Sequence, residues 1–307
     1  MLSEEFSMVK VKIIKNSVIA IGNFDGIHKG HQDIFSIGKK IAKQRKKKFG
    51  VLTFSPMPSE FFQKEKKNLR ITSDDIKIDL FKKNKIDFFY ICKFNKQFSL
   101  MKPESFIKKI LVNKLGVDTL IVGKNFKFGH KREGTISLLK KYGKVYGYKV
   151  LDRKLVKANN KKISSTRVRS EILNGNFQLV TKFLGREWSI KEKVIRGKQI
   201  GRSIGVRTAN ITIQRNIKPK IGVYAVRVLV NKKKYQGVAN FGFAPTFARN
   251  KLVLEINFFN KIQALYGKII EVFFVKYIRN EKKFKNTFLL IKQIKKDTGL
   301  AKKILNT

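Results

Sequence analysis

The pattern of apolar residues changes near position 186 of this 307-residue chain. Before that point, strand-length apolar runs alternate with stretches of helical period, and a glycine follows two of the runs, at Gly22 and Gly123. This alternation predicts a doubly wound parallel sheet, an α/β domain, for residues 1–185. Beyond it, short alternating β-rich runs separated by turns predict a small antiparallel β-barrel for residues 186–307.

The individual elements follow from the same patterns. Strands of the first domain are predicted at 18–21, 51–54, 87–92 and 119–122, with helices at 31–45 and 103–114. Strands of the second domain are predicted at 188–195, 209–213, 223–230, 235–240, 253–259 and 269–278. A helical period over residues 286–304 closes the chain.

Composition excludes several classes of protein. Hydrophobic residues make up 42% of the chain and include 26 Phe, which is enough to build a core and excludes a disordered polybasic chain. Apolar runs such as 88–92 are too short to span a bilayer, and the N-terminus lacks an apolar signal core. Cys92 is the only cysteine, which excludes an intramolecular disulfide or a multi-cysteine zinc site. We therefore expect a cytoplasmic protein.

The formal net charge of +48 has two interpretations. A direct polyanion-binding role is one, because lysine and arginine neutralise phosphates. The other is compositional bias on solvated faces, since the excess is spread over both halves and accompanies abundant Lys, Asn, Ile and Phe. We favour the second interpretation, because phosphate contacts are expected to cluster with stacking aromatic residues.

The segment from Gly22 to His31, GNFDGIHKGH, follows the first predicted strand and opens a helix. Glycines allow the backbone to approach a polyphosphate closely, and a helix N-terminus favours anions. His28 and His31 lie three residues apart, so both can face one side of the first helical turn and donate hydrogen bonds to phosphate oxygens. The competing interpretation is a turn with incidental histidines.

This segment resembles the HxGH signature of the nucleotidyltransferase superfamily, and the longer string resembles the bacterial bifunctional riboflavin kinase/FMN adenylyltransferase family. The resemblance continues through residues 53–58, 115–123, 125–129 and 163–167. It implies that the first domain is a Rossmann-like nucleotidyltransferase domain, with His28 and His31 holding ATP phosphates as catalytic residues. The implied ATP-binding residues are Gly22, Phe24, Asp25, Gly26, Gly30, Asn125, Ser164, Ser165, Thr166 and Arg167.

The resemblance also places flavin at Phe54 and Pro56. Read without the family, the Ser/Thr cluster before Arg167 is equally well explained as a helix N-cap. The chain departs from the family pattern at Met57, where His is usual, and at Asn125, where Asp is common. A lost polar contact at Met57 is expected to weaken flavin or ATP binding.

In the second half, residues 183–186, 197–210, 237–242 and 245–247 resemble segments of riboflavin kinase. The resemblance implies that Glu255 is the catalytic base. It further implies that kinase ATP binds at Gly197, Gly201, Arg202 and Gly205, Mg²⁺ at Thr208 and Asn210, and flavin near Arg279 and Glu281. Read alone, the glycine-rich stretch is an ordinary loop.

Two details of the second half leave alternatives open. Arg207 replaces the family's Pro and either loosens the loop or adds a phosphate contact. Glu255 lies in an apolar strand, where a buried carboxylate is costly, and the alternative to a catalytic base is a buried ion pair.

The expected protein is a two-domain enzyme that phosphorylates riboflavin and adenylylates FMN, with ATP as co-substrate and Mg²⁺ as cofactor. Riboflavin, FMN and ATP are its expected partners, with no specific nucleic acid and no membrane; a homo-oligomer is left open. The alternatives are a single-activity riboflavin kinase with a degenerate first domain, and a basic nucleic-acid-binding protein on this scaffold.

Overall fold

The computed structural model describes residues 14–63, 69–153, 157–158, 161–196, 208–243, 252–260, 262 and 265–306. The chain divides into two compact units. The first comprises Met1–Lys67 and Lys77–Ser164, and the second comprises Asn68–Ile76 and Ser165–Thr307. A short segment of the first half therefore belongs to the second unit, while the functional division at residue 185 stays a prediction.

The first unit is built on a five-stranded parallel sheet in the order β3-β2-β1-β4-β5. Its strands are β1 (Ser17–Ile21), β2 (Phe49–Ser55), β3 (Phe88–Lys93), β4 (Val117–Gly123) and β5 (Lys149–Arg153). The predicted Rossmann-like α/β class is confirmed. The fifth strand escaped prediction because it lies at the edge, where Lys149, Asp152 and Arg153 are exposed and no apolar run forms.

Helices connect these strands and pack against the sheet. They are α1 (Lys29–Gln44), α2 (Pro58–Phe61), α3 (Asp74–Lys83), α4 (Lys96–Ser99), α5 (Pro103–Ser105), which continues into a π-helix (Phe106–Lys114), a 3₁₀ turn (His130–Arg132) and α6 (Ile136–Tyr146). A two-residue ladder, β6 (Lys157–Ala158) with β7 (Lys161–Lys162), follows. Helix α1 approaches β2 closely, because a Cβ on Gly38 would lie 2.1 Å from the Phe49 ring.

The second unit contains a six-stranded antiparallel sheet in the order β8-β13-β10-β11-β12-β9. Its elements are α7 (Ser165–Asn174), α8 (Phe177–Leu184), β8 (Trp188–Lys193), β9 (Thr208–Ile211), β10 (Gly222–Val230), β11 (Lys233–Phe243), β12 (Leu252–Phe258), β13 (Ile269–Arg279) and α9 (Thr287–Leu305). The edges of the sheet meet where Ile195 N donates to Asn210 O over 2.8 Å. The predicted small antiparallel barrel is confirmed.

Aromatic rings fill the interior of this second unit. Phe177 of α8 stacks on Phe274 with ring centroids 5.3 Å apart, and Trp188 and Tyr224 pack at 5.0 and 5.1 Å from the same Phe274 ring. Outside the sheet, Ala301 and Leu305 of α9 pack against an apolar patch formed by Val223, Ala225 and Val238. The two faces of the sheet are therefore buried differently, one by aromatic packing and one by a helix.

Candidate functional site

The first candidate site lies at the carboxyl ends of β1 and β4, which are neighbours in the sheet. The chain runs from β1 in one direction to β2 and from β4 in the other to β5, so the strand order reverses between β1 and β4. Ligands bind in doubly wound sheets at such a switch point, outside the carboxyl ends of the strands. The turn at residues 22–28 follows β1, and the exposed Asn125 follows β4.

Helix α1 begins directly after this turn, with His28 as its N-cap. The His28 side chain makes no capping hydrogen bond, and the first turn of the helix contains no acidic residue. The positive end of the helix dipole is therefore left without a protein anion in that turn. This is the arrangement expected for a site that receives phosphate oxygens.

The two histidines of the motif lie against each other. Their rings stack with centroids 3.7 Å apart, and Phe24 meets the His31 ring edge-on at 5.2 Å. Burial lowers the pKa of His31 well below its usual 6.5, and the positive charges of His28 and Lys77 lower it further. His31 is therefore neutral near pH 7, with one nitrogen able to donate and the other to accept a hydrogen bond.

The remaining predicted positions of the motif line the same turn. Phe24 and Asp25 are buried, with 2% and 1% of their surfaces exposed. Gly26 and Gly30 are buried as well, while Gly22 is half-buried. The structure thus brings together the glycines, the aspartate and both histidines that the sequence pattern singled out.

The predicted flavin positions lie at the carboxyl end of the neighbouring strand β2. Phe54 is buried against Phe94 and Phe98, with ring centroids 6.3 and 5.8 Å away, while Pro56 is exposed. Met57, the departure from the family pattern, is only 1% exposed. Its side chain is thus part of the packed interior, and its backbone N–H donates to Glu60 over 2.9 Å.

The Ser/Thr–Arg cluster lies at the start of α7. Ser164 precedes the helix and belongs to the first compact unit, whereas Ser165, Thr166 and Arg167 form the first helical turn and belong to the second. The Arg167 guanidinium lies over the Phe183 ring, 4.6 Å from its centroid. This cation–π contact orients the arginine.

The second candidate site is a polar row on the outward face of the barrel. Asn210 of β9, Glu255 of β12 and Asn240 of β11 are successive register partners. Residues directly opposite in antiparallel strands share a face, so the three side chains lie side by side. Thr208 shares that face because it stands two residues from Asn210.

Glu255 is exposed, which corrects the expectation that an apolar strand would make its carboxylate costly. Its neighbours Leu254 and Ile256 face the barrel interior and are fully buried. Since successive residues of a strand point to opposite faces, an apolar stretch places one carboxylate in solvent without a desolvation cost. The alternative of a buried ion pair at Glu255 is thereby excluded.

The predicted flavin residues of the second half are held by different partners. Arg279 forms a paired hydrogen-bond interaction with Asp297 of α9, whose carboxylate lies 2.6 Å from Nη2 and 3.0 Å from Nε. Glu281 accepts a hydrogen bond from Asn240 Nδ2 at 3.3 Å. Gly242 permits this position of Glu281, because a Cβ there would lie 2.1 Å from its Oε1.

Comparison with known families now decides the assignment. A family model described as FAD synthetase matches residues 10–167, and one described as riboflavin kinase matches residues 184–305. The chain belongs to the bifunctional riboflavin kinase/FMN adenylyltransferase family.

Relatives carrying that family description match nearly the whole chain. The Buchnera aphidicola protein from Schizaphis graminum is 42% identical over 299 residues, 96% of both chains. The Escherichia coli K12 protein is 35% identical, covering 93% of this chain and 91% of the relative. The Bacillus subtilis protein is 36% identical, covering 92% and 90%.

One solved structure shares the architecture. It is a Streptococcus pneumoniae protein described as a macrolide-efflux protein, with 30% identity, a TM-score of 0.84 and 94% coverage of each chain. Within the part of this chain that the structure describes, no helix is long and apolar enough to cross a membrane.

Four family positions, namely Gly197, Gly201, Arg202 and Gly205, fall outside the described residues, as does Arg207. Three residues that contact predicted site residues or the turn beside them were not themselves predicted as site residues from the sequence: Lys77, Asn240 and Asp297. Lys77 is 0% exposed and its Nζ lies 3.3 Å from Asn23 O. A lysine in a helical stretch is normally predicted to lie on the surface, so no local feature of the sequence indicates that Lys77 is buried.

Proposed function

We propose that the two activities of this flavin-forming enzyme are divided between the halves of the chain. Residues 1–185 would transfer the adenylyl group of ATP to FMN, giving FAD, and residues 186–307 would phosphorylate riboflavin with ATP, giving FMN. The observation that supports this division most directly is the separation of the histidine pair and the Glu255 row onto different compact units.

In the adenylyl transfer, a phosphate oxygen of FMN attacks the α-phosphorus of ATP and pyrophosphate leaves. No covalent enzyme intermediate is needed, so the protein contributes positioning and charge stabilisation. His28, His31 and the start of α1 would hold ATP phosphates, because imidazole and backbone N–H groups donate hydrogen bonds. Ser164, Ser165, Thr166 and Arg167 would bind the pyrophosphate side, with Phe54 and Pro56 beside the flavin.

In the kinase reaction, Glu255 would accept the proton of the riboflavin 5′-hydroxyl as that oxygen attacks the γ-phosphorus of ATP and ADP leaves. An exposed carboxylate suits this role, since a substrate hydroxyl can reach it from solvent. Arg279 and Glu281 would lie at the flavin, each already oriented by a protein partner.

The donor set beside Glu255 fits Mg²⁺. Thr208 and Asn210 present a hydroxyl and an amide oxygen on the same face as the Glu255 carboxylate, and Mg²⁺ prefers hard oxygen ligands. Thr208 and Asn210 would hold the ion together with ATP phosphates. When bound, Mg²⁺ supplies neutralisation of the phosphate charge. The described residues contain no cluster of three His, Cys, Asp or Glu that could hold a metal ion, so such a site depends on the nucleotide's oxygens.

We further propose a cytoplasmic location, with riboflavin, FMN and ATP as the partners and no specific nucleic acid. The +48 charge would then act as a field that attracts phosphorylated substrates.

The test is incubation of the purified full chain with riboflavin, ATP and Mg²⁺, followed by chromatographic separation of the flavins. We expect FMN to form first and FAD to follow, and omission of Mg²⁺ to stop both steps. FMN without FAD would indicate the single-activity alternative. Neither product, together with tight salt-sensitive RNA binding, would indicate the nucleic-acid alternative.

A further inference from the structure

The turn between β1 and α1 adopts a strained backbone. Phe24 and Ile27 have φ values of 45° and 41°, a region that side-chain-bearing residues rarely occupy. Ile27 is β-branched, which makes this conformation especially unfavourable. Gly26 between them has φ of 83°, which glycine accepts without strain. Such a conformation persists only where the surrounding structure holds it in place.

Two buried side chains converge on a single carbonyl oxygen at the start of this turn. Thr53 Oγ1, at the end of β2, lies 3.1 Å from Asn23 O, and Lys77 Nζ, on α3, lies 3.3 Å from the same oxygen. Both Thr53 and Lys77 are 0% exposed. The Asn23 peptide is thus fixed from two elements, although the Asn23 side chain itself is exposed.

The far end of the turn is held separately. Gln32 Nε2, from the first helical turn of α1, donates to Ile27 O over 2.9 Å. Phe24 is packed between Phe35 and Phe81, with ring centroids 5.2 and 6.4 Å away. These contacts fix the hydrophobic side of the turn, whereas Thr53 and Lys77 fix the orientation of its first peptide.

Burying an ammonium group costs desolvation free energy. We therefore expect the buried Lys77 ammonium group, beneath the 22–28 turn, to have a function. A lysine head that only filled space could be replaced by an apolar side chain at lower cost. Lys77 instead places a cation beside His31 and a hydrogen bond on Asn23 O. Both effects act on the groups that would meet ATP.

We infer that Thr53 and Lys77 are positioning residues of the FMN adenylyltransferase reaction, which clamp the Asn23 carbonyl and so hold the 22–28 turn in its ATP-binding conformation. They do not touch the substrate, because both are buried behind the turn. This inference rests on the proposed assignment of adenylyl transfer to the first half. A displacement of about 1 Å in such a turn is enough to slow the reaction about a hundredfold.

The test compares Thr53→Val, Thr53→Ser and Lys77→Met in the full chain, with Lys82→Met on the exposed face of α3 as control. Both activities are assayed separately, from FMN and from riboflavin. We expect Thr53→Val and Lys77→Met to lower adenylyltransferase kcat at least about tenfold, with kinase kcat within about twofold of the wild type. Thr53→Ser, which keeps the hydroxyl, should restore most of the activity.

The double variant Thr53→Val/Lys77→Met supplies a second readout. Because both donors act on one oxygen, the combined loss should be smaller than the product of the separate losses. Unchanged adenylyltransferase activity in Thr53→Val and Lys77→Met would overturn the inference, as would a parallel loss of both activities or no rescue by Thr53→Ser.

If Lys77→Met does not fold, the comparison of Thr53→Val with Thr53→Ser decides alone. Valine replaces the hydroxyl group with a methyl group, whereas serine keeps the hydroxyl group and loses the methyl group. If instead the wild type converts no FMN to FAD, the assignment of adenylyl transfer fails. The two failures are therefore distinguishable.

Discussion

The indole N–H of Trp188 donates a hydrogen bond of 2.7 Å to the carbonyl oxygen of Ile71, which lies 117 residues earlier in the chain. The same carbonyl accepts a second bond from Asn216 Nδ2 over 3.0 Å. Residues 69–75 are therefore an integral part of the second unit. The two buried donors, Trp188 and Asn216, fix this segment to the second unit through one carbonyl oxygen.

Trp188→Phe is expected to lower the free energy of unfolding by about 2 kcal/mol, from the lost hydrogen bond and the smaller ring. Urea unfolding followed by circular dichroism measures it, since Trp188 is the only tryptophan and its fluorescence disappears with it. Adding Asn216→Ala removes the second donor to the same carbonyl, so the loss in the double variant should differ from the sum of the two single losses. A strictly additive loss would contradict a shared carbonyl.

Glu255→Gln should reduce FMN formation from riboflavin by about a hundredfold or more, because the amide cannot accept the hydroxyl proton. FAD formation from supplied FMN should remain. The paired variant His28→Ala/His31→Ala should show the opposite pattern, measured by the same chromatographic assay. Equal loss of both activities in either variant would contradict separate sites.

The stability of the protein should fall as the pH drops below about 6.5, with a slope approaching 1.4 kcal/mol per pH unit from His31 alone. The reason is that the pKa of His31 is lowered in the folded state, so the unfolded chain takes up a proton that the folded chain refuses. Above about pH 6.5 both states are neutral at this residue and the effect vanishes. Urea midpoints at several pH values measure the slope.

In the same series, His31→Gln should remove this part of the pH dependence and flatten the curve. Identical slopes for His31→Gln and the wild type would contradict the assignment.

Gly242→Ala should impair riboflavin phosphorylation without unfolding the protein. The new methyl group would lie 2.1 Å from Glu281 Oε1, and the flexible glutamate can swing away at little cost in stability. Its hydrogen bond from Asn240 would be lost, so the KM for riboflavin should rise several-fold while FMN adenylylation stays normal. Gly299→Ala in α9, where a Cβ meets open space, is the control.

Local patterns predicted most of the framework. The apolar runs at β1, β2 and β4 were sufficient, together with the glycines at the ends of β1 and β4, because a strand buried on both faces needs continuous apolar residues. The edge strand β5 was not predictable in this way, since its exposed lysine, aspartate and arginine resemble a loop. The histidine pair was found from spacing alone, because three residues make nearly one helical turn.

The exposure of Glu255 could not be read from its apolar surroundings. Leu254 and Ile256 mark the strand as buried, yet the alternation of side chains puts Glu255 on the other face. Val223 and Val238, which α9 covers, lie on the same outward face as Glu255, so only contacts between distant parts of the chain show that the helix leaves Glu255 exposed.

By itself, the sequence determined the two domain types, because the period of the apolar residues is a local property of the chain. The phosphate-binding turn and the reacting side chains are predictions that the spacing of the histidines and the family resemblance supplied. Only the tertiary structure decided that residues 69–75 complete the second unit, that Asn210, Glu255 and Asn240 form one row, and that Thr53 and Lys77 meet at one carbonyl. Each of these pairs residues that are distant in sequence, and strand register and burial alone bring them together.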